Sequence, residues 1–132
     1  MSKRIDHLKK KFYELLVDAY AHWYPVFEPD KDPRQEAIDL LKSSFLDDWK
    51  ELNVEVLKKH ELVQIKKLLV MWISKDEKTD YVYDEETSLG FRGLVFKKDS
   101  YFVIEVIEET PMGTDCFFAI LTPDDKAYKI WW

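Results

Sequence analysis

The hydrophobic pattern of this chain changes period part-way along, and that change constrains the fold more than any single motif. Across residues 3–24, Ile5, Leu8, Phe12, Leu15, Leu16, Ala19, Tyr20 and Trp23 recur at spacings of three and four. That is one stripe of an amphipathic helix, with Lys9, Lys10, Glu14 and Asp18 on the opposite face. Pro25 ends it, because proline disfavours helical geometry in the residue before it. A connector over 25–32 leads to Asp32-Pro33-Arg34-Gln35-Glu36, a strong helix start. Asp32 caps free backbone N–H groups, Pro33 suits the first helical position, and Gln35 and Glu36 suit the positive end of the dipole. This second helix is expected to bury Ala37, Ile38, Leu41, Phe45, Trp49 and Leu52 and to stop near Leu52. Asn53 is expected to cap a short third helix through about Lys59, with Val54 and Leu57 inward. Residues 60–67 read equally as its continuation or as the start of a strand.

From Leu68 the segments are rich in β-branched and aromatic residues and are separated by turn signals. They are 68–75, 79–85, 89–98, 101–109, 116–122 and 127–132. Lys98-Asp99-Ser100 predicts a hairpin, Pro111 to Asp115 a loop, and Pro123-Asp124-Asp125 a turn. Connections this short favour antiparallel neighbours, since a parallel pair needs a long crossover. The reading is α+β: two or three N-terminal helices packed on one face of a five- to six-stranded, mainly antiparallel sheet. At 132 residues, without internal repeat or linker, the chain is expected to form a single domain over 1–132, with a helical part 3–59 and a β-meander 68–132.

The strands are apolar on both faces. Phe102, Ile104 and Val106 back onto Tyr101, Val103, Glu105 and Ile107, and Cys116, Phe118 and Ile120 onto Phe117, Ala119 and Leu121. A sheet with one wet face would alternate apolar and polar residues. The second face is therefore expected to be covered by the chain, to line a pocket, or to meet another protein.

No motif announces chemistry. His7, His22 and His60 lack the three- or four-residue spacing of a helical metal site, so no metal and no cofactor are expected. The single cysteine, Cys116, opens an apolar strand and reads as a small hydrophobe. Only three glycines are present, Gly90, Gly93 and Gly113. None forms a phosphate-cradling loop ahead of a helix, and Gly90-Phe91-Arg92-Gly93 reads as a bulge or bend. Glu105 stands out as a mid-strand carboxylate with apolar neighbours on its face. With Tyr101 it is a candidate pocket residue.

Charge carries the functional expectation. With 20 basic and 26 acidic residues, the net charge is −6, which disfavours direct contact with nucleic acid or an anionic membrane. Asp76, Glu77, Asp80, Asp84, Glu85 and Glu86 stand against Lys78 alone, and Glu105, Glu108 and Glu109 form a second acidic group. The N-terminal exception is Lys3, Arg4, Lys9, Lys10 and Lys11 against Asp6. The expected function is an acidic protein-binding module, not an enzyme. It would be an inhibitor or antagonist that caps a basic site on a partner protein. The candidate contact residues are Asp80, Tyr81, Tyr83, Asp84, Glu85, Glu86, Trp131 and Trp132, with aromatics as anchors and carboxylates for steering. Immunity proteins that neutralise basic nuclease toxins and phage anti-defence proteins share this size and surface, an analogy rather than a homology. The alternative is a curved sheet with an apolar pocket that binds a small molecule or carries simple acid–base catalysis. Homodimerisation through the sheet face is a third arrangement. The absence of an apolar leader stretch and the single cysteine make the cytoplasm the expected location.

Overall fold

The computed structural model describes residues 3–23, 32–75, 81–86 and 89–132. Its elements run α1 (Lys3–Trp23), α2 (Pro33–Ser43), a 3-10 turn (Trp49–Glu51), β1 (Asn53–Val56), α3 (Lys59–Ser74), β2 (Tyr81–Asp84), β3 (Leu89–Lys98), β4 (Tyr101–Thr110), β5 (Gly113–Leu121) and β6 (Ala127–Trp131). The α+β class holds: β2 to β6 form an antiparallel meander, β1 is an extra strand, and the sheet order is β1-β6-β5-β4-β3-β2. The chain divides into two compact units, Met1–Val54 with Trp131–Trp132, and Glu55–Ile130.

In the first unit α1 buries Leu8, Phe12, Leu15, Leu16 and Ala19, the stripe read from the sequence. The connector expected over 25–32 lies, except for Asp32, outside the described residues. Asp32 caps α2 by accepting the Arg34 N–H at 3.1 Å, and the Arg34 side chain pairs with Asp18 of α1. The expectation that α2 continues to Leu52 is overturned. The Leu46 N–H bonds the Leu41 carbonyl at 2.9 Å and the Phe45 N–H bonds Lys42 at 3.0 Å. This 6→1 and 5→2 pattern closes a helix end, with the hydrophobic pair Leu41 and Leu46 both fully buried. Phe45, expected inside, takes the left-handed position of that motif (φ 67°) and is 86% exposed.

Two further expectations fail between residues 53 and 75. The predicted helix from Asn53 is a strand: Val54 and Val56 suit extended backbone, and the Leu57 N–H just beyond bonds the Ala127 carbonyl at 3.1 Å. The predicted first strand, 68–75, is the C-terminal half of α3 and its cap residue Lys75. Here the uninterrupted apolar run hid the true period. Leu62, Ile65, Leu69 and Trp72 repeat every three or four residues, and the run completes one helical face. The Lys58 N–H donates to the Glu61 carboxylate at 3.2 Å, which fixes the start.

In the second unit the α3 face Ile65, Leu68, Leu69 and Trp72 packs on Val82, Ile104, Val106, Phe117, Ala119 and Ala127. Burying a large apolar side chain contributes about 1.5–3 kcal/mol, so this layer dominates the unit. The opposite sheet face is also buried at Val103, Ile120 and Ile130 and half-open at Glu105 and Ile107. The predicted hairpin is present: Lys98 faces Tyr101, and Asp99 (φ 53°) and Ser100 (φ 66°) make a two-residue turn whose twist matches the strands. The register of β3 on β4 shifts between Phe91 and Val95, the bend expected from the Gly90–Gly93 segment. Gly90 is required there, since a Cβ would sit 2.5 Å from the Val82 carbonyl oxygen.

Candidate protein-binding site

The two-residue turn Pro111–Met112 sets Thr110 opposite Gly113, and every later pair follows from it. Thr110 Oγ1 accepts the Met112 N–H at 3.3 Å and donates to the Gly113 carbonyl at 2.9 Å. That register places Glu108 directly opposite Asp115. Across the next two pairings Glu108 faces Leu89, and Leu89 faces Asp84. Asp84, Glu108 and Asp115 therefore stand in one line across four strands. Glu85 and Glu86 follow Asp84 in the exposed turn, and Glu109 is the next residue on β4. The fold gathers six carboxylates at this end of the sheet. Like charges directly opposite destabilise a strand pair, so the Glu108–Asp115 position is not arranged for stability.

Lys67 of α3 reaches the line from one side. Its ammonium lies 3.1 Å from Asp84 and 3.3 Å from Glu86, and hydrogen bonds to Asp84, then to Glu86, raise its pKa. Asp84 is buried, 7% exposed, and also accepts the Glu86 N–H at 3.1 Å. It is thus an organiser of the turn, with Glu85 and Glu86 the outward groups. Tyr83 is half-buried and donates its hydroxyl to Glu109 at 3.1 Å.

Other residues singled out from the sequence fall elsewhere. Asp80 lies outside the described residues, and Tyr81 is described by its backbone alone, paired with Arg92. Trp131 and Trp132 are half-exposed. The Trp132 indole N–H donates to the Ser44 carbonyl at 2.9 Å, which ties the C-terminus to the end of α2. In the sequence Asp84, Glu85 and Glu86 belong to the acidic group at 76–86, Glu108 to a second group, and Asp115 to the expected loop 111–115. The signal that joins them is the Pro-Met turn, which fixes the register.

The pocket candidates Tyr101 and Glu105 share a face of β4, both half-buried. Glu105 faces Phe118, with Cys116 two residues away on β5. Burial holds the Glu105 carboxyl above the usual carboxylate range. Cys116, expected to pack as a small hydrophobe, is exposed; partial desolvation, then the charges of Glu105 and Asp115, push its thiol up, which makes it a poor nucleophile. Among the described residues no group of three or more His, Cys, Asp or Glu is placed to hold a metal ion, and no helix is long and apolar enough to cross a membrane. No family model, curated protein or solved structure matches the chain.

Proposed function

We propose that this chain is a protein-binding module, an inhibitor or antagonist acting in the cytoplasm, that caps a basic site on a partner protein with the carboxylates at the β2–β5 end of its sheet. The observation that supports the reading is the line Asp84, Glu108 and Asp115, flanked by Glu85, Glu86 and Glu109. Strands lie about 4.8 Å apart, so Glu108 and Asp115 stand one strand spacing apart, with Leu89 between Glu108 and the buried Asp84. Such an array suits lysines and arginines and resembles the charge of a phosphate chain. It speeds encounter with a cationic surface. Two copies joined through this end would oppose like charges, so the partner is a different protein. The test is affinity capture from the native host at low and moderate salt, followed by affinity measurement on the captured protein. Joint neutralisation of Glu85, Glu86, Glu108 and Asp115 to their amides is expected to weaken binding at least tenfold and to flatten its salt dependence. Unchanged affinity overturns the proposal.

A second reading rests on Glu105. Its half-buried carboxyl has no hydrogen-bond or ion-pair partner among the described residues, and its sheet neighbours Val103, Ile107 and Phe118 are apolar. Such a group suits a small apolar ligand that carries one hydrogen-bonding or cationic group. Thermal stabilisation by amine-bearing apolar compounds, lost in Glu105→Gln, is the expected signature.

A further inference from the structure

A cavity of about 240 Å³ opens between α3 and the loops at the sheet end opposite the carboxylate line. Its floor is Leu62, Phe102 and Leu121, half-buried residues at the margin of the core beneath α3. About 150 Å³ of apolar cavity is enough to hold benzene, so one ring fits. The rim carries Lys66 and Lys126, both exposed. Asp125 of the β5–β6 loop already sets a carboxylate 3.0 Å from the Lys66 ammonium. Its side chain is 83% exposed, so the pair is solvent-screened and weak. A carboxylate carried in by an apolar body can therefore take Asp125's place: burial of the body supplies the gain, and the ion pair on Lys66 is exchanged rather than lost. Ser100 and Thr122 also line the cavity; the Ser100 hydroxyl can donate to the incoming group, while the Thr122 hydroxyl is held within its own loop by Asp124 and the Lys126 carbonyl.

We propose that this cavity binds a small organic monocarboxylate, its ring or short chain on Leu62, Phe102 and Leu121 and its carboxylate between Lys66 and Lys126. The site is independent of the partner-binding reading, since it lies at the other end of the sheet and uses cationic groups. The occupant is singly charged and compact, because the cavity admits one ring and the rim offers two lysines already shared with aspartates. Lys126 stands 3.8 Å from Asp124.

The test titrates the full chain with sodium benzoate at constant ionic strength, with benzamide and benzylamine as the neutral and cationic isosteres, and follows backbone amide shifts by NMR. Benzoate is expected to shift Ser100, Leu121, Thr122 and Lys126 saturably, with benzamide and benzylamine at least tenfold weaker. Lys66→Met and Lys126→Met, which keep the apolar stems, are each expected to weaken benzoate at least fivefold. Asp125→Asn frees Lys66 and is expected to tighten binding a few-fold. Asparagine tolerates the left-handed backbone at this position (φ 61°), so the loop is preserved. No saturable shift, equal binding of benzamide, or tighter binding of benzylamine overturns the proposal, as does weaker binding in Asp125→Asn.

Discussion

Glu108 and Asp115 face each other directly across β4 and β5, two carboxylates in one cross-strand position. An opposite-charge pair there would stabilise the hairpin, and a like-charge pair does the reverse, by about 0.2–1 kcal/mol. Asp115→Lys is therefore expected to raise stability by roughly 1 kcal/mol, read as a higher urea midpoint at unchanged slope. If the carboxylate line binds a basic partner, the same variant loses affinity. A variant that gains stability and keeps full affinity would separate the line from the interface.

Lys67 and Asp84 form the ion pair that orders the turn after β2. The Lys67 pKa is raised by its hydrogen bonds to Asp84 and then Glu86. A raised lysine stabilises the folded state while it is protonated. The contribution is complete below the unfolded value, about 10.4, and is lost as pH climbs through the folded value. Lys67→Met is expected to lower the melting temperature at neutral pH, with the gap to wild type closing at strongly alkaline pH. A gap that persists unchanged there would mean that the lysine acts through its stem alone.

Glu105 predicts the opposite kind of substitution effect. Burial raises its pKa, so the protonated form is the one the fold prefers. Stability is highest below the ordinary glutamate range and falls as pH rises through the folded value. Glu105→Gln removes that ionisation and is expected to be more stable than wild type at pH 7 and equal to it at about pH 3–4. Urea melts at three pH values between these limits test the sign. Destabilisation at pH 7 would show that the carboxylate has a stabilising partner.

Outside residues 53–75 the order of elements is legible because α1 is periodic and the later elements are bounded by strong signals: Asp32-Pro33 before α2, Asp99-Ser100 between β3 and β4. The segment 53–75 was misread for a physical reason. Leu68 to Ile73 is apolar without a break, so that local stretch carries neither a period of two nor one of 3.6, and Leu62 and Ile65 had to be counted with it. The carboxylates were visible individually, but their line was not. It depends on the two-residue turn at Pro111–Met112 and on β2 pairing β3 at Gly90, a non-local geometry that composition does not encode. In the sequence Asp84 reads as surface charge, because a buried aspartate and an exposed one look alike until Lys67 is placed beside one of them.

Phe45 closes α2 in a conformation that suits glycine. At φ 67° an L-residue carries a steric cost of about 1–2 kcal/mol, and the ring gains nothing from burial because it is 86% exposed. The neighbouring Leu46 is fully buried instead, as is Leu41. Phe45→Gly removes the steric cost and leaves the two closing hydrogen bonds and the burial of Leu41 and Leu46 in place. The extra chain entropy of glycine in the unfolded state returns part of the gain. The net expectation is a stabilisation of about 0.5–1 kcal/mol. Phe45→Ala keeps the strained backbone without the ring and is expected to stay within about 0.5 kcal/mol of wild type. Chemical denaturation of the three proteins side by side decides the point. If alanine matches glycine, the ring and not the backbone was the source of the cost, and if both destabilise, Phe45 makes contacts that its exposure does not record.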